Sequence, residues 1–130
     1  MMVRRKALDE VDALDEGFFM YCEEVDWAMR MRRAGWGIYC VPAAEVVHYA
    51  GQSTQQFRDE MFVALWRSRF RLFSKHCGAW YNWAVRRIVR LGLWREQDKA
   101  RRAKQAGRLG ADEWRRRMMA YRRVREMSNG

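Results

Sequence analysis

Between Phe18 and Ser53 the chain reads FFMYCEEVDWAMRMRRAGWGIYCVPAAEVVHYAGQS, and no other stretch restricts the fold so tightly. Three carboxylates, Glu23, Glu24 and Asp26, fall within four positions. They open a helical pattern that runs to Ala34 and stops at Gly35, a residue suited to the left-handed position that closes a helix. Val25, Ala28 and Met29 are predicted to face the core of that helix, with Arg30, Arg32 and Arg33 turned to solvent. Two short strand-like runs follow, Ile38–Val41 and Val46–Tyr49. Pro42 lies between them and removes a backbone donor at the end of the first. Carboxylates in a first helical turn are favoured by the helix dipole by about 0.3–1 kcal/mol each. The acid cluster therefore has two readings: the ordinary start of a helix, or a site held at its mouth.

The flanking segments are predicted to be helical. Ala7, Leu8, Val11 and Leu14 share one face over residues 4–14, and Asp15-Glu16-Gly17 reads as a loop. Residues 55–76 carry two apolar stripes, one through Phe57, Met61, Leu65 and Leu72, the other through Trp66, Phe70, Phe73 and Cys77. This segment is expected to pack on a sheet and to end at Gly78. Over residues 79–95, Trp80, Tyr81, Trp83, Ile88, Val89, Leu91 and Trp94 are interleaved with Arg86, Arg87, Arg90 and Arg95. Such a segment suits a helix lying in a membrane interface, with Trp80, Trp83, Arg86, Arg87, Arg90 and Trp94 as the interfacial residues. It also suits packing against a protein partner. Nucleic acid is the third reading, and no RNA-binding motif supports it. Residues 96–111 read as a helical or flexible linker, and Asp112 as the cap of a last helix to about Met127.

Charge divides the chain. Residues 1–83 hold eleven basic and eleven acidic side chains, whereas residues 84–130 hold fifteen against five, so the whole net charge of +10 lies in the last third. A neutral globular part followed by a basic part points to an anionic partner for the latter. With 49% hydrophobic and 14% aromatic residues, wholesale disorder is excluded. Cys22, Cys40 and Cys77 are odd in number and widely spaced, which implies reduced thiols of a cytosolic protein and neither a disulfide framework nor a zinc site. No run of about 18 apolar residues is present to cross a bilayer as a helix.

The central stretch resembles the C-terminal half of the catalytic domain of family 2 glycosyltransferases, the inverting GT-A enzymes, and especially their rhamnosyltransferase-like members. The resemblance rests on Leu14-Asp15-Glu16-Gly17-Phe18-Phe19-Met20-Tyr21-Cys22-Glu23-Glu24-Val25-Asp26, on Arg30-Met31-Arg32-Arg33-Ala34-Gly35-Trp36, on Val41-Pro42, and on Val47-His48-Tyr49-Ala50-Gly51-Gln52-Ser53. It covers about residues 4–55, with a weaker echo to Gly78. Two departures stand out. The family usually has a Gly-Gly pair near Asp12-Ala13, and Asp rather than Glu at position 24.

The resemblance implies an α/β fragment, mainly α: a helix and two short strands from a GT-A fold, followed by long basic amphipathic helices. Residues 1–78 would be the acceptor-side half of the enzyme and residues 79–130 a basic helical extension. Glu24 is then the expected catalytic base, with Glu23 as the fallback. Asp26, Tyr21 and Trp36 are expected at the substrate. His48 is expected to bind Mn²⁺ or Mg²⁺ in the complete enzyme, although a lone histidine at a strand end is also read as structural. Tyr21, like Phe18 and Phe19, has a core-anchor reading beside its acceptor-site one. The implied partners are a nucleotide-sugar donor and a glycan or lipid-linked acceptor, in cell-surface polysaccharide synthesis at the cytoplasmic face of the membrane. The family's metal-binding Asp-x-Asp does not occur in these 130 residues. The chain alone is accordingly expected to bind no metal, to be inactive until a nucleotide-binding half completes it, and to cover any exposed sheet edge by homodimerising or by its own helices. The rival reading is a non-catalytic, Trp-rich basic module that binds an anionic membrane or a protein partner.

Overall fold

A computed structural model describes residues 1–47 and 57–129. It contains five helices: α1 Arg5–Val11, α2 Glu23–Arg33, α3 Arg58–His76, α4 Ala79–Gln105 and α5 Ala111–Met127. Helices α3, α4 and α5 pack on one another as an antiparallel-type bundle joined by short turns, while α1 packs on α2. The bundle core is formed by Val63 and Phe70 of α3, Val89 and Leu93 of α4, and Ala120 and Val124 of α5. Phe62, Trp66, Val85, Tyr121 and Met127 close around it. Val124 is wholly buried. Phe62 meets Tyr121 edge to face at 5.7 Å, a favourable aromatic geometry that ties α3 to α5.

Local rules account for several boundaries. Gly35 has φ +87°, the amide of Trp36 donates to Met31 O, and that of Gly35 to Arg32 O. That pair of bonds is the Schellman closure, in which a residue free of a Cβ takes the left-handed position and two orphan carbonyls are satisfied. The same closure ends α4, with Gly107 at φ +69° and Arg108 donating to Ala103 O. The turn between α3 and α4 is only Cys77 and Gly78. There Asn82 Nδ2 lies 3.0 Å from the carbonyl oxygens of Phe73, Cys77 and Gly78, a side-chain donor added at a junction where Phe73 O and Gly78 O already accept from the amides of Cys77 and Asn82.

The expected α/β class is overturned. Among the described residues there is no strand, and the described chain is helical with connecting loops. Ile38–Val41 is irregular, with Tyr39 87% exposed, and Val46 and Val47 are equally open, while the remainder of the second run lies outside the described residues. β-propensity in a few residues makes a strand only where a neighbour accepts and donates its backbone hydrogen bonds, and no described segment lies alongside to do so. Helix α3 correspondingly packs on α4 and α5 rather than on a sheet. Its Trp66–Phe70 stripe faces the bundle, and Phe57 is exposed.

Of the two readings of residues 96–111, the helical one holds as far as Gln105, while the cap of α5 and the inward face of α2 differ from expectation. The polar segment after Arg95 is a continuous extension of α4 as far as Gln105, anchored by buried Ala100 and supported on its surface by ion pairs Lys99–Glu96 and Arg102–Asp98. Helix α5 is preceded by Gly110 at the capping position, and Asp112 lies within its first turn without a capping bond. On α2 the buried face is Asp26, Trp27 and Met31, whereas Val25 is 41% exposed. The inward turn of Trp27 follows from its indole, which donates to Asp12 O at 2.8 Å and fastens α2 to the end of α1.

Candidate functional site at the mouth of helix α2

The first turn of α2 is entered through two consecutive non-glycine residues in the left-handed region, Tyr21 at φ 70° and Cys22 at φ 67°. L-residues avoid this region, and such conformations persist only where surrounding contacts over-determine them. Those contacts are present. Ser68 Oγ on α3 donates to Met20 O at 2.6 Å. Asp15 accepts from Arg71 at 3.0 Å and from Lys75 at 2.8 Å, and its other bond, from the Gly17 amide, closes the loop on itself. Phe18 is buried beneath the same two cations, 5.2 Å from the Arg71 guanidinium and 5.9 Å from Lys75 Nζ. The loop between Asp15 and Cys22 is therefore clamped along α3, and the carboxylates of α2 emerge from a braced entry.

Behind that entry lies a buried charge cluster. Asp26 has no exposed surface. Its carboxylate accepts from Arg30 Nε at 2.9 Å, from Lys75 Nζ at 2.9 Å, and from His76 Nε2 at 2.6 Å. The His76 side chain is also fully buried, and its Nδ1 has no partner among the described residues. Burial pushes the Asp26 carboxyl up, but the bonds from Lys75, His76 and Arg30 outweigh it and hold the group below its ordinary value. Lys75 shows the mirror image: burial lowers it, and its bonds to Asp15 and Asp26 more than restore it, so it lies above the usual lysine value. Asp15 is held well below the carboxylate range, chiefly by its bond from Lys75 and then by the Gly17 amide. Lys75 thus bridges two carboxylates, one in the loop and one on α2. Arg30, expected at the surface, instead reaches back to the carbonyls of Val11 and Ala13, the latter at 2.7 Å.

Of the residues singled out from the sequence, Glu24 is exposed at the mouth and Glu23 is half-buried beside it, its Oε2 buried without a partner among the described residues. Tyr21 sits in the strained entry. Asp26 faces inward and is committed to three donors, so the structure places it in the bracing and not on the open face. Trp36 is half-buried, and its indole donates to Glu10 of α1 at 3.0 Å. His48 lies outside the described residues. Burial first, and then the neighbouring Glu24, push the Cys22 thiol up, so this cysteine is kept protonated rather than activated. No group of three or more His, Cys, Asp or Glu comes together among the described residues to hold a metal.

Sequence reasoning missed Asp15, Ser68, Lys75 and His76. Lys75 and His76 stand 49 and 50 residues from Asp26. The one signal available was a cationic pair in the last turn of a helix, which is equally what a helix dipole favours.

Residues 80–94 present a second grouping. Val85, Val89 and Leu93 enter the bundle core, while Trp80, Trp83, Ile88, Leu91 and Trp94 stay exposed on the opposite side of α4. The rings of Trp80 and Trp83 stack at 4.7 Å.

Comparison with known proteins finds likeness over part of the chain. Ninety residues of the chain, 66% of its length, are 37% identical to N-acetylglucosaminyl-diphospho-decaprenol L-rhamnosyltransferase of Mycobacterium tuberculosis, covering 29% of that protein. Seventy-five residues, 58% of the chain, are 35% identical to Rhamnosyltransferase WbbL of Escherichia coli K12, covering 28% of it. Over this part, the chain is similar to rhamnosyltransferases. It spans less than a third of the length of these relatives. No family model matches the sequence, and no solved structure matches it.

Proposed function

We propose that this chain carries the base-bearing, acceptor-side part of an inverting glycosyltransferase, with Glu24 as the general base. The observation that supports this reading most directly is the exposed Glu24 carboxylate at a strained and braced helix mouth, within a chain similar over part of its length to rhamnosyltransferases.

The chemistry is the following. The Glu24 carboxylate takes the proton of an acceptor hydroxyl as that oxygen attacks the anomeric carbon of a nucleotide-activated sugar. A new C–O bond forms on one face while the bond to the nucleoside diphosphate breaks on the other, and the electron pair leaves with the diphosphate. A base fixed within reach of the hydroxyl is worth about 10²–10⁴ in rate. Its position is set by backbone on one side, through Tyr21 and Cys22, and by Asp26 two residues on, on the inner face of α2, tied to α3 through Lys75 and His76. The relatives' names suggest rhamnose as the sugar and a lipid-linked diphosphate glycan as one acceptor class. The family's divalent cation does not fit the described residues: Asp26 has its oxygens committed to cations, and no other cluster of ligands is assembled. No step is assigned to a metal.

The test is rhamnosyl transfer by a chimera in which the stretch of this chain matching E. coli WbbL replaces WbbL's own. A drop of about 100-fold or more on Glu24→Gln, with a much smaller change on Glu23→Gln, supports the assignment. Undiminished transfer with Glu24→Gln refutes it, as does a folded chimera that transfers nothing.

A further inference from the structure

We propose that the cleft between α4 and α5 receives the phosphate group of an anionic bilayer lipid, with the exposed aromatic ridge of α4 lying in the membrane interface around it. The cleft has two adjoining hollows that share Arg87 and Arg90 as a common wall. One, of about 320 Å³, adds Arg125 from α5, the apolar Leu91, Leu93 and Trp94, and the amide of Gln97. The other, of about 580 Å³, adds Arg86 together with Asn82 and Ser128. Neither hollow is lined by an acidic side chain.

Part of the positive charge on these helices is already neutralised, while Arg95, Arg101, Arg116 and Arg123, like the cleft arginines, make no ion pair among the described residues; the cleft is set apart by unpaired arginines that line the same hollows. Arg102, Arg115, Arg117 and Arg122 are each paired with a carboxylate three or four residues away. Among the described residues, Arg87, Arg90 and Arg125 make no ion pair, and Arg86 donates only to the Met127 carbonyl at 2.5 Å. Three converging guanidinium groups without counter-charges repel one another, and a phosphate oxygen set is what their planar donor forks match. Arg87 is held in place by the Trp83 ring, 5.3 Å from its guanidinium, and Trp83 by its stack with Trp80.

The apolar ridge names the source of the phosphate. Trp80, Trp83, Leu91 and Trp94 recur at helical spacing on the side of α4 turned away from the bundle, and all are about half exposed or more. They border the cationic cleft. A free anion offers these rings nothing to bury, and a nucleic acid offers bases to stack on indoles but no apolar layer for Leu91. A bilayer offers both an anionic layer for the arginines and an apolar layer for indoles and leucine. Among the described residues no helix is long and apolar enough to cross a membrane. The contact rests on α4 and α5 alone. Neither Glu24 nor sugar chemistry enters it, so vesicle binding and sugar transfer succeed or fail independently.

The experiment is co-sedimentation of the 130-residue chain with vesicles of phosphatidylcholine, and of phosphatidylcholine mixed equally with phosphatidylglycerol. Binding to the mixed vesicles alone is expected. The double variant Arg87→Gln/Arg90→Gln should bind about 30-fold more weakly, roughly fivefold for each arginine at the surface. The charge-matched double variant Arg116→Gln/Arg123→Gln, on the far side of α5 by helical spacing, should lose several-fold at most. Trp94→Ala should weaken binding without changing its salt dependence. Circular dichroism checks that each variant is folded, since all these side chains lie outside the core. Equal binding to both kinds of vesicle overturns the proposal, as does an equal loss in the two double variants. Release of bound protein by inorganic phosphate at matched charge identifies a free-anion site and overturns the lipid assignment. Complete release by single-stranded RNA makes the cleft a nucleic-acid surface and overturns it too.

Discussion

Replacing Asp26 by Asn removes one negative charge from a site with no solvent exposure and leaves the shape of the side chain nearly intact. What happens to each donor can be worked out. Lys75 keeps Asp15 at 2.8 Å and has a third of its side chain in water. Arg30 keeps the carbonyls of Val11 and Ala13. His76 keeps nothing beyond what the Asn oxygen can accept, because its Nδ1 is already without a described partner and its side chain is fully buried. Breaking a buried ion pair by removing one partner costs about 3–5 kcal/mol, and a buried donor left unmade about 1–3 kcal/mol. The retained amide oxygen and the solvated Lys75 place Asp26→Asn at the lower end, about 3 kcal/mol, and Asp26→Ala above it. The assay is urea unfolding followed by circular dichroism, with attention to whether the slope changes, since loss of the clamp can release α2 before the bundle. A second variant sharpens the reasoning. Asp26→Leu/His76→Phe removes the buried polar pair together, leaves unmade only the bonds from Arg30 Nε and Lys75, whose side chains both reach water, and is expected to cost less than Asp26→Asn alone. A cost below about 1 kcal/mol for Asp26→Asn, or a double variant worse than the single, would show that the cluster does not hold α2 to α3.

Three other outcomes follow from the same coordinates. Asp12 adopts φ 61°, ψ 176°, a region that glycine enters freely and other residues enter at about 1–3 kcal/mol, and its side chain makes no described hydrogen bond; Asp12→Gly is therefore expected to raise stability by about 1 kcal/mol in the same denaturation assay. Phe70→Ala, at the centre of the bundle, is expected to cost about 3–5 kcal/mol and to lower the melting temperature of α3, α4 and α5 together. Asp15 and Asp26 have folded pKa values below their unfolded values, so their contribution is complete above about pH 5, falls as pH drops through about 4, and is gone below their folded values. Lys75 has a raised folded pKa, so its contribution is complete below about pH 10 and is lost as pH rises through the folded value. A stability profile across pH should show a plateau between those limits, and Lys75→Gln should flatten both of its edges.

Much of the helical framework is legible from neighbours along the chain. The start of α2 at Glu23, its end at the Gly35 closure, and the extents of α1, α3 and α5 follow from apolar spacing, acidic first turns and a glycine where φ must be positive. Each of those signals acts over one or two helical turns, so the residues that decide it are adjacent in sequence. The exposed Glu24 at the helix mouth was legible for the same reason. The supposed strands were not decidable this way, because Ile38–Val41 needs a partner segment to become a strand and none lies beside it among the described residues. The two faces of α4 were ambiguous for a related reason. Trp, Val, Leu and Ile satisfy a membrane interface and a protein core equally well in composition, and only the placement of α3 and α5 assigns Val89 and Leu93 to the core and leaves Trp80, Leu91 and Trp94 outside it.

The buried cluster belongs wholly to the tertiary structure. Asp26 read from the sequence is one more acid in a first turn, and Lys75 and His76 are cations in a last turn. Helix dipoles and hydrogen-bonded closures depend on residues a few positions apart and could be read directly. Which charge loses its water, and which partner replaces it, depends on two helices meeting across about 50 residues of chain. Coulombic and desolvation energies are set by that meeting and by nothing local to either helix.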